Sequence, residues 1–378
     1  MRKVLFCLVL IAIILCPTIA LADTTDLQLD CKSALLMDGI SGDILYEQNS
    51  QEICYPASVT KIMTLVLILE AVDAGTISLD DMVPVSEDAA SMGGSQVYLY
   101  PGEQRTVDEM LIAIAVGSGN DAAYAMAEYI GGTMPGFVEL MNQRAKELGM
   151  ENTHFVNPHG LHDDDHYTTA YDLGILAYHA LSVPKFLDYT SIYEYEFRPE
   201  PKLLTLWNTN RLLKWYEGTD GMKTGYTEEA GRNLVATVER DGMRLISVVL
   251  GAQERQGHFN ESMKLLNYGF NKFEYIPIRE AGEIICDAPV SKGTKDSVGL
   301  MTENAIGYSS EKGQSGEITE SIVINSTLQA PLKAGDIGGQ LIIYKDGEEF
   351  KTVDLVVSED IDKGGFIRTW GKLLKTIW

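Results

Sequence analysis

Residues 61–72, KIMTLVLILEAV, constrain this chain more than any other stretch. From Ile62 to Leu69 no residue is charged, and apolar side chains fall nearly all round a helical projection. The run is too long for one strand and closes at Gly75, so the spacing predicts a helix buried on every side. Such a helix belongs inside a core, yet it begins with Lys61, and Ser58 lies one turn before it. Burying an ammonium group is costly unless the charge is paired or given up.

A serine and a lysine three apart on a helix project from the same face, close enough for the amine to take the hydroxyl proton. Only a neutral lysine can do this, and desolvation beside Ile62 and Met63 drives the amine toward that form. The S-x-x-K spacing recurs at Ser182 to Lys185, which encloses a proline, and at Ser309 to Lys312 in the polar loop YSSEKGQSG. Both of these read as structural or solvated. Taken alone, Ser58 also reads as a helix N-cap after Pro56.

Around the helix, elements can be placed in order. SALLMDGISGDILYEQ, residues 33–48, reads as a hairpin of two short strands about a Gly-rich turn. Thr106 and Glu109 form a capping-box pair before MLIAIAV, and another helix runs from Asp121 to about Ile130, ended by Gly131 and Gly132. FVELMNQRAKEL is helical and stops at Gly149, and Thr169 with Asp172 opens a helix through LGILAYHAL. GMKTGY, NLVATVE and LISVVLG follow as strands, the last two joined across Asp241-Gly242. Strands at both ends with helices between predict an α/β (α+β) domain, one antiparallel sheet completed by the N-terminal hairpin and covered by helices. After LLNYGFNKFEYIPI the texture changes to short strands and turns, including Asp346-Gly347, which predicts a small all-β domain.

Both ends differ from the body. Arg2 and Lys3, the apolar stretch Val4 to Leu15, and Ala20-Leu21-Ala22 make up a secretory signal peptide with cleavage after Ala22. A retained membrane helix is the alternative, but the apolar core falls short of the roughly 20 residues a span needs. In GGFIRTWGKLLKTIW, Phe366, Trp370, Leu373 and Ile377 share one face with Leu374 beside them, while Arg368, Lys372 and Lys375 lie elsewhere around the helix. That pattern suits a membrane surface, or a helix docked on the protein's own core. The expected division is therefore a signal peptide at 1–22, a catalytic domain at 23–277, a β-rich domain at 278–358 and an amphipathic anchor at 359–378. Cys7 and Cys16 leave with the signal, Cys31 and Cys54 flank the hairpin and could form one bridge, a pairing the sequence leaves open, and Cys286 reads as a lone buried thiol. A formal charge of -24 with no basic patch in the body argues against nucleic acid as a partner.

Two further motifs bear on Ser58. In Ser118-Gly119-Asn120, before a helix, Ser118 is placed to relay a proton and Asn120 to hold a substrate carbonyl or amide; alone, the triplet would be a turn and N-cap. In Lys223-Thr224-Gly225, on a strand, an amine and a hydroxyl offer a dock for a carboxylate, and Gly225 lets a substrate backbone come close; alone, it would be an ordinary exposed strand lysine. Together the three motifs are the set found in penicillin-binding proteins and class A β-lactamases. With PASVTKIMT, SGNDAAYAMAE, FVELMNQRAKELGMENTHFVNPHGL, DGMKTGYTEEAGRNLVAT and LQAPLKAGDIGG, the chain resembles, over nearly its whole length, the low-molecular-mass penicillin-binding proteins that are serine-type D-alanyl-D-alanine carboxypeptidases.

That resemblance implies a β-lactamase/transpeptidase-like domain followed by a β-rich one, with Ser58 as the nucleophile, Lys61 as its base, and Ser118 with Asn120 as the second wall of the cleft. It implies that Lys223 with Thr224 binds the substrate's terminal carboxylate, and that backbone N–H groups of Ser58 and a residue near Tyr226 form the oxyanion hole. Tyr226 stands where some relatives carry histidine. The implied partners are a peptidoglycan stem peptide ending in D-Ala-D-Ala, β-lactams as covalent inhibitors, and the outer face of the cytoplasmic membrane, with no cofactor and no metal. Competing readings are a β-lactamase of the same fold, a wall-binding protein with a relic site, and a zinc peptidase using His159, His162 and His166 of NPHGLHDDDHY, although those spacings do not put two ligands on one helix face.

Overall fold

The computed structural model describes residues 27–199, 201–324 and 328–365. The expected signal peptide and residues 366–378 of the expected amphipathic tail therefore lie outside the described residues. Among the described residues no helix is long and apolar enough to cross a membrane.

The N-terminal hairpin forms as β1 (Ser33–Asp38) and β2 (Ile44–Gln48). Two short hairpins follow later in the chain, β3 (Met82–Pro84) with β4 (Gln104–Thr106) and β5 (Glu194–Arg198) with β6 (Leu204–Trp207). The central sheet adds β7 (Thr219–Thr227), β8 (Gly231–Arg240) and β9 (Met243–Ala252) to the first hairpin in the order β2-β1-β9-β8-β7, antiparallel throughout. Asp241 and Gly242 both adopt positive φ, 50° and 79°, as a two-residue turn joining right-twisted strands requires.

Every residue of β1 is buried, because the sheet is covered on both faces. Leu35 and Met37 point into a large core built mainly from helices, and Ala34 and Leu36 into a smaller one beneath α6 (Gly257–Lys272). The larger core holds α1 (Lys61–Asp73), whose residues 61 to 69 are all buried. Around α1 pack α2 (Val107–Ala115), α3 (Asn120–Gly131), α4 (Met134–Glu147) and α5 (Ala170–Ser182). The start signals act as expected: Thr106 and Glu109 make the reciprocal capping box of α2, and the Thr169 side chain accepts the N–H of Asp172 at the head of α5.

Helix α6 has no counterpart among the elements expected from the sequence, where LLNYGFNKFEYIPI marks only the point after which the texture changes. Its signal was present, since Phe259, Ser262, Leu265, Leu266 and Gly269 form a buried stripe at helical spacing. A Cβ on Gly269 would lie 2.6 Å from Leu245 Cδ1, so α6 seats there because that residue has no side chain.

Beyond α6 the described residues form strands and the turns between them. β10 (Phe273–Arg279) pairs with β13 (Ile306–Glu311). A second sheet runs β14-β16-β17-β12-β11-β15, from β11 (Ile284–Ser291), β12 (Ser297–Met301), β14 (Ile318–Ile324), β15 (Leu328–Gln329), β16 (Ile337–Lys345) and β17 (Glu348–Val357). The buried Asp38 at the end of β1 accepts the N–H of Ser309 at 2.8 Å, linking this unit to the central sheet. One thiol expectation changes: Cys286, expected to be buried, is partly exposed on β11, while Cys31 and Cys54 are unbridged in this structure.

Candidate active site

Chain entry into α1 is unusual. Ala57 takes φ +49°, a region that a residue with a Cβ seldom adopts, and a 3₁₀ turn covers Ala57–Thr60. Ser58 sits inside that turn and makes no capping bond, so the N-cap alternative gives way. Its hydroxyl is instead 3.1 Å from the amine of Lys61. Lys61 Nζ also donates to Asn120 Oδ1 and to the carbonyl of His159, both at 2.7 Å. Asn120 is oriented by its own amide, which donates to the Gly93 carbonyl at 2.7 Å. Ser118, buried and with φ +57°, faces the same cleft as Ser58.

Lys61 is fully buried, and its pKa lies well below the ordinary lysine value, first because burial removes water from the charge and then because Lys223 stands near. Asp121 opposes the shift, but its carboxylate is already engaged by the N–H groups of Val97 and Leu99.

The opposite wall is β7. Lys223 is buried too, which removes the exposed-lysine reading; burial pushes its pKa down to about 7, and its amine donates to the Thr224 carbonyl at 3.2 Å. Thr224 Oγ1 donates to Thr209 Oγ1 at 2.6 Å. Gly225 is pressed against the turn that bears Ser58: a Cβ there would lie 2.7 Å from the Pro56 carbonyl and 3.0 Å from the Ser58 nitrogen. Gly225→Ala is therefore expected to push the Ser58 turn off β7 and to slow acylation by penicillin on the order of 100-fold, measured by stopped-flow or gel labelling, while the thermal transition survives.

Sequence reasoning missed the residues that hold this arrangement. Asn233, midway along the buried strand β8, donates to the carbonyls of Tyr55 and Pro56 at 2.8 and 3.0 Å and accepts the N–H of Gly251 at 2.8 Å. An asparagine inside an otherwise apolar strand was the available signal. In the 157–166 loop, Asn157 Oδ1 accepts the N–H of Gly160 at 2.6 Å, and Thr64 Oγ1 donates to the Pro158 carbonyl at 2.6 Å, which presents the His159 carbonyl to Lys61. A Cβ on Gly160, φ +85°, would lie 1.9 Å from the Ala57 carbonyl.

Two imidazoles of this loop, His159 and His166, are structural. His159 Nδ1 accepts the N–H of Leu161 at 3.2 Å, and His166 Nδ1 accepts that of Val156 at 3.0 Å, so each ring is neutral with its proton on Nε2, and His166 Nε2 donates to Thr60 Oγ1 at 2.7 Å. Those lone pairs are not offered to a metal, and among the described residues no group of three or more His, Cys, Asp or Glu is disposed to hold one. Burial pushes the pKa of His159 down to about 3 and that of His166 to about 4. Below the unfolded value near 6.5 the unfolded chain takes up these protons while the folded one refuses them. Stability should therefore fall as pH drops from about 6.5 toward 4, with His166→Gln flattening that slope in melting curves.

The cleft, about 740 Å³, continues past Thr224 and Tyr226 to Arg211, Arg232, Arg255 and His258. No carboxylate among the described residues forms an ion pair with these arginines. His258 is buried, its Nδ1 and Arg232 Nε lack partners, and burial with Arg232 and Arg211 nearby pushes its pKa down to about 4. The end of the cleft is thus electropositive in a chain of charge -24.

A helix-borne serine, a buried depressed lysine in contact with it and a facing strand with a glycine at van der Waals limit define a serine acyl-transferring hydrolase. Residues 20–254 match the D-alanyl-D-alanine carboxypeptidase family and residues 273–363 the penicillin-binding protein 5 C-terminal domain. The chain is 42% identical to the D-alanyl-D-alanine carboxypeptidase DacF of Bacillus subtilis (strain 168) over 93% of its own length and 92% of that protein's. It superposes on penicillin binding protein 5 from Haemophilus influenzae with TM-score 0.70 and 36% identity, covering 90% of this chain and 99% of that one. On penicillin-binding protein D2 of Listeria monocytogenes in its ampicillin-bound form the TM-score is 0.59 at 34% identity, covering 65% and 99%. The chain belongs to the family of serine-type D-alanyl-D-alanine carboxypeptidases.

Proposed function

We propose that residues 23–277 carry out this carboxypeptidase reaction with Ser58 as nucleophile and Lys61 as general base. The observation that carries the assignment is the amine's set of contacts. Asn120 Oδ1 and the His159 carbonyl can only accept, so a neutral Lys61 spends its two protons on them at 2.7 Å and turns its lone pair to the Ser58 hydroxyl at 3.1 Å. Ser58 then attacks the carbonyl between the last two D-alanines of a peptidoglycan stem peptide. The bond to nitrogen breaks, D-alanine leaves with a proton relayed through Ser118, and water releases the shortened peptide as Lys61 repeats its role. Backbone N–H groups of Ser58 and Tyr226 would hold the developing oxyanion across the gap that Gly225 keeps narrow.

For the substrate's terminal carboxylate, Thr224 supplies a hydroxyl and the electropositive end of the cleft supplies charge. Lys223, its pKa pushed down to about 7 by burial, faces that carboxylate together with Thr224. β-Lactams, which mimic the substrate, would acylate Ser58 and be released slowly. The test is mass spectrometry after incubation with penicillin: the adduct should map to the peptide containing Ser58, and an adduct on any other residue would overturn the assignment.

The location of the enzyme belongs to the same reading. Residues 1–22 carry the features of a signal peptide, and the tail has its basic and apolar faces arranged for an anionic membrane surface, so the enzyme is exported and tethered to the outer face of the cytoplasmic membrane. A chain truncated at Asp360 should move from the membrane pellet to the soluble fraction; pelleting unchanged would refute the tether.

A further inference from the structure

The largest unexplained feature outside the cleft is a pair of thiols. Cys31 lies just before β1 and Cys54 four residues before Ser58, with 22 residues, Lys32 to Ile53, between them. The hairpin brings the two ends of that loop together. Lys32 Nζ donates to the Ile53 carbonyl at 2.7 Å and pairs with Glu52 at 3.4 Å, so the residue after one cysteine touches the residues before the other. Asn49 Nδ2 donates to the Lys32 carbonyl at 3.1 Å and Ser33 Oγ to the Asn49 carbonyl at 2.9 Å, which fixes the two strands of chain side by side. Gln48 at the end of β2 reaches back to the Cys31 carbonyl at 3.1 Å and lies 3.9 Å from its sulfur. The Cys54 backbone is held in turn by Thr168, through N–H to carbonyl contacts of 2.8 and 2.9 Å in both directions. Neither thiol has a role in the cleft, and Cys286, the remaining cysteine of the described residues, lies in the β-rich unit.

We propose that Cys31 and Cys54 form a disulfide in the exported enzyme, closing the hairpin loop and tying the segment that delivers Ser58 to the edge of the sheet. The proposal rests on the export reading, since thiols persist in a reducing compartment. The oxidant is a dithiol–disulfide carrier outside the membrane. The partly exposed Cys31, as thiolate, attacks one sulfur of the carrier's disulfide and releases a carrier thiol; Cys54 then attacks Cys31 Sγ in the mixed disulfide and releases the second. Two electrons and the two thiol protons pass to the carrier, and one S–S bond replaces another. Burial pushes the thiols' pKa to about 12 at Cys31 and about 11 at Cys54, with Cys54 near enough to add to the shift at Cys31, so exchange is slow without a catalyst, though the bond once formed is sheltered.

The experiment is peptide mapping of the full-length enzyme isolated in the presence of an alkylating agent and without reductant. A peptide linking Cys31 to Cys54, about 2 Da lighter than its two reduced halves, is expected, and mild reduction should lower the melting temperature by roughly 5 to 10 °C. Recovery of both residues as alkylated thiols, from cells and after equilibration of the purified enzyme with oxidised glutathione, would overturn the proposal. In Cys31→Ser, Cys54 should be alkylated quantitatively; its appearance in a bond to Cys286 would also overturn it. D-Alanine release and the penicillin adduct are read on the same preparation, and membrane-impermeant labelling reports export. A failure of the disulfide is thereby separated from a failure of the catalytic or export assignments.

Discussion

Ser58→Ala is expected to release no measurable D-alanine and to take up no penicillin, a loss on the order of 10⁴ to 10⁶ in rate, while its melting curve stays close to that of the parent. The fold should tolerate the change because the hydroxyl is not a cap and contacts only the lysine amine. What disappears is the atom that becomes the acyl ester. Covalent labelling by fluorescent penicillin at an undiminished rate in this variant would mean that another residue is the nucleophile, and the reading of the cleft would fall with it.

Lys61→Ala should cost a factor of about 100 to 10,000 in acylation, because the hydroxyl keeps its place but loses the group that takes its proton. The residual reaction should still modify Ser58, which separates loss of a base from loss of structure. The parent enzyme's pH profile gives an independent check. Lys61 has its pKa lowered by burial and by Lys223, so the neutral base is populated well below the ordinary lysine range, and the acylation rate should fall as pH drops through that depressed value. In Lys61→Ala that acid limb should vanish. If the limb persists with the same midpoint, the titrating group is some other residue. Acid stability is a separate matter, since below about pH 6.5 the unfolded chain takes up protons that the buried His159 and His166 refuse in the folded one. Rates and melting curves therefore need to be measured on the same samples.

The predictions follow features of unequal visibility in the sequence. The helix at Lys61 is written in its apolar run, the capping box at Thr106 in a spacing of three, and the β8–β9 turn in Asp241-Gly242, since each depends on residues that are neighbours along the chain. Helix α6 escaped notice because its buried stripe is broken by polar and small residues, Ser262 and Gly269 among them, whose fit depends on the sheet beneath. Of the site itself, Ser58, Lys61, Ser118, Asn120, Lys223, Thr224 and Gly225 are legible as motifs, and the structure brings them to one cleft. Asn157, Asn233 and the Arg211, Arg232 and His258 cluster are not, because an asparagine in a strand or an arginine in a loop has many ordinary uses.

The sequence by itself determined which side chains are candidates for the chemistry and on which elements they ride, because a spacing of three on a helix or a glycine beside a lysine on a strand acts over a few residues. Only the tertiary structure decided that Lys61 can be a base. Its acceptors come from Asn120 and His159, 59 and 98 positions away, and the turn bearing Ser58 is held by Asn233 from 178 positions away. A lysine gives up its proton more readily when packed elements take its water away and leave it only acceptors for its hydrogens, and contacts of that length are made by the folded core as a whole.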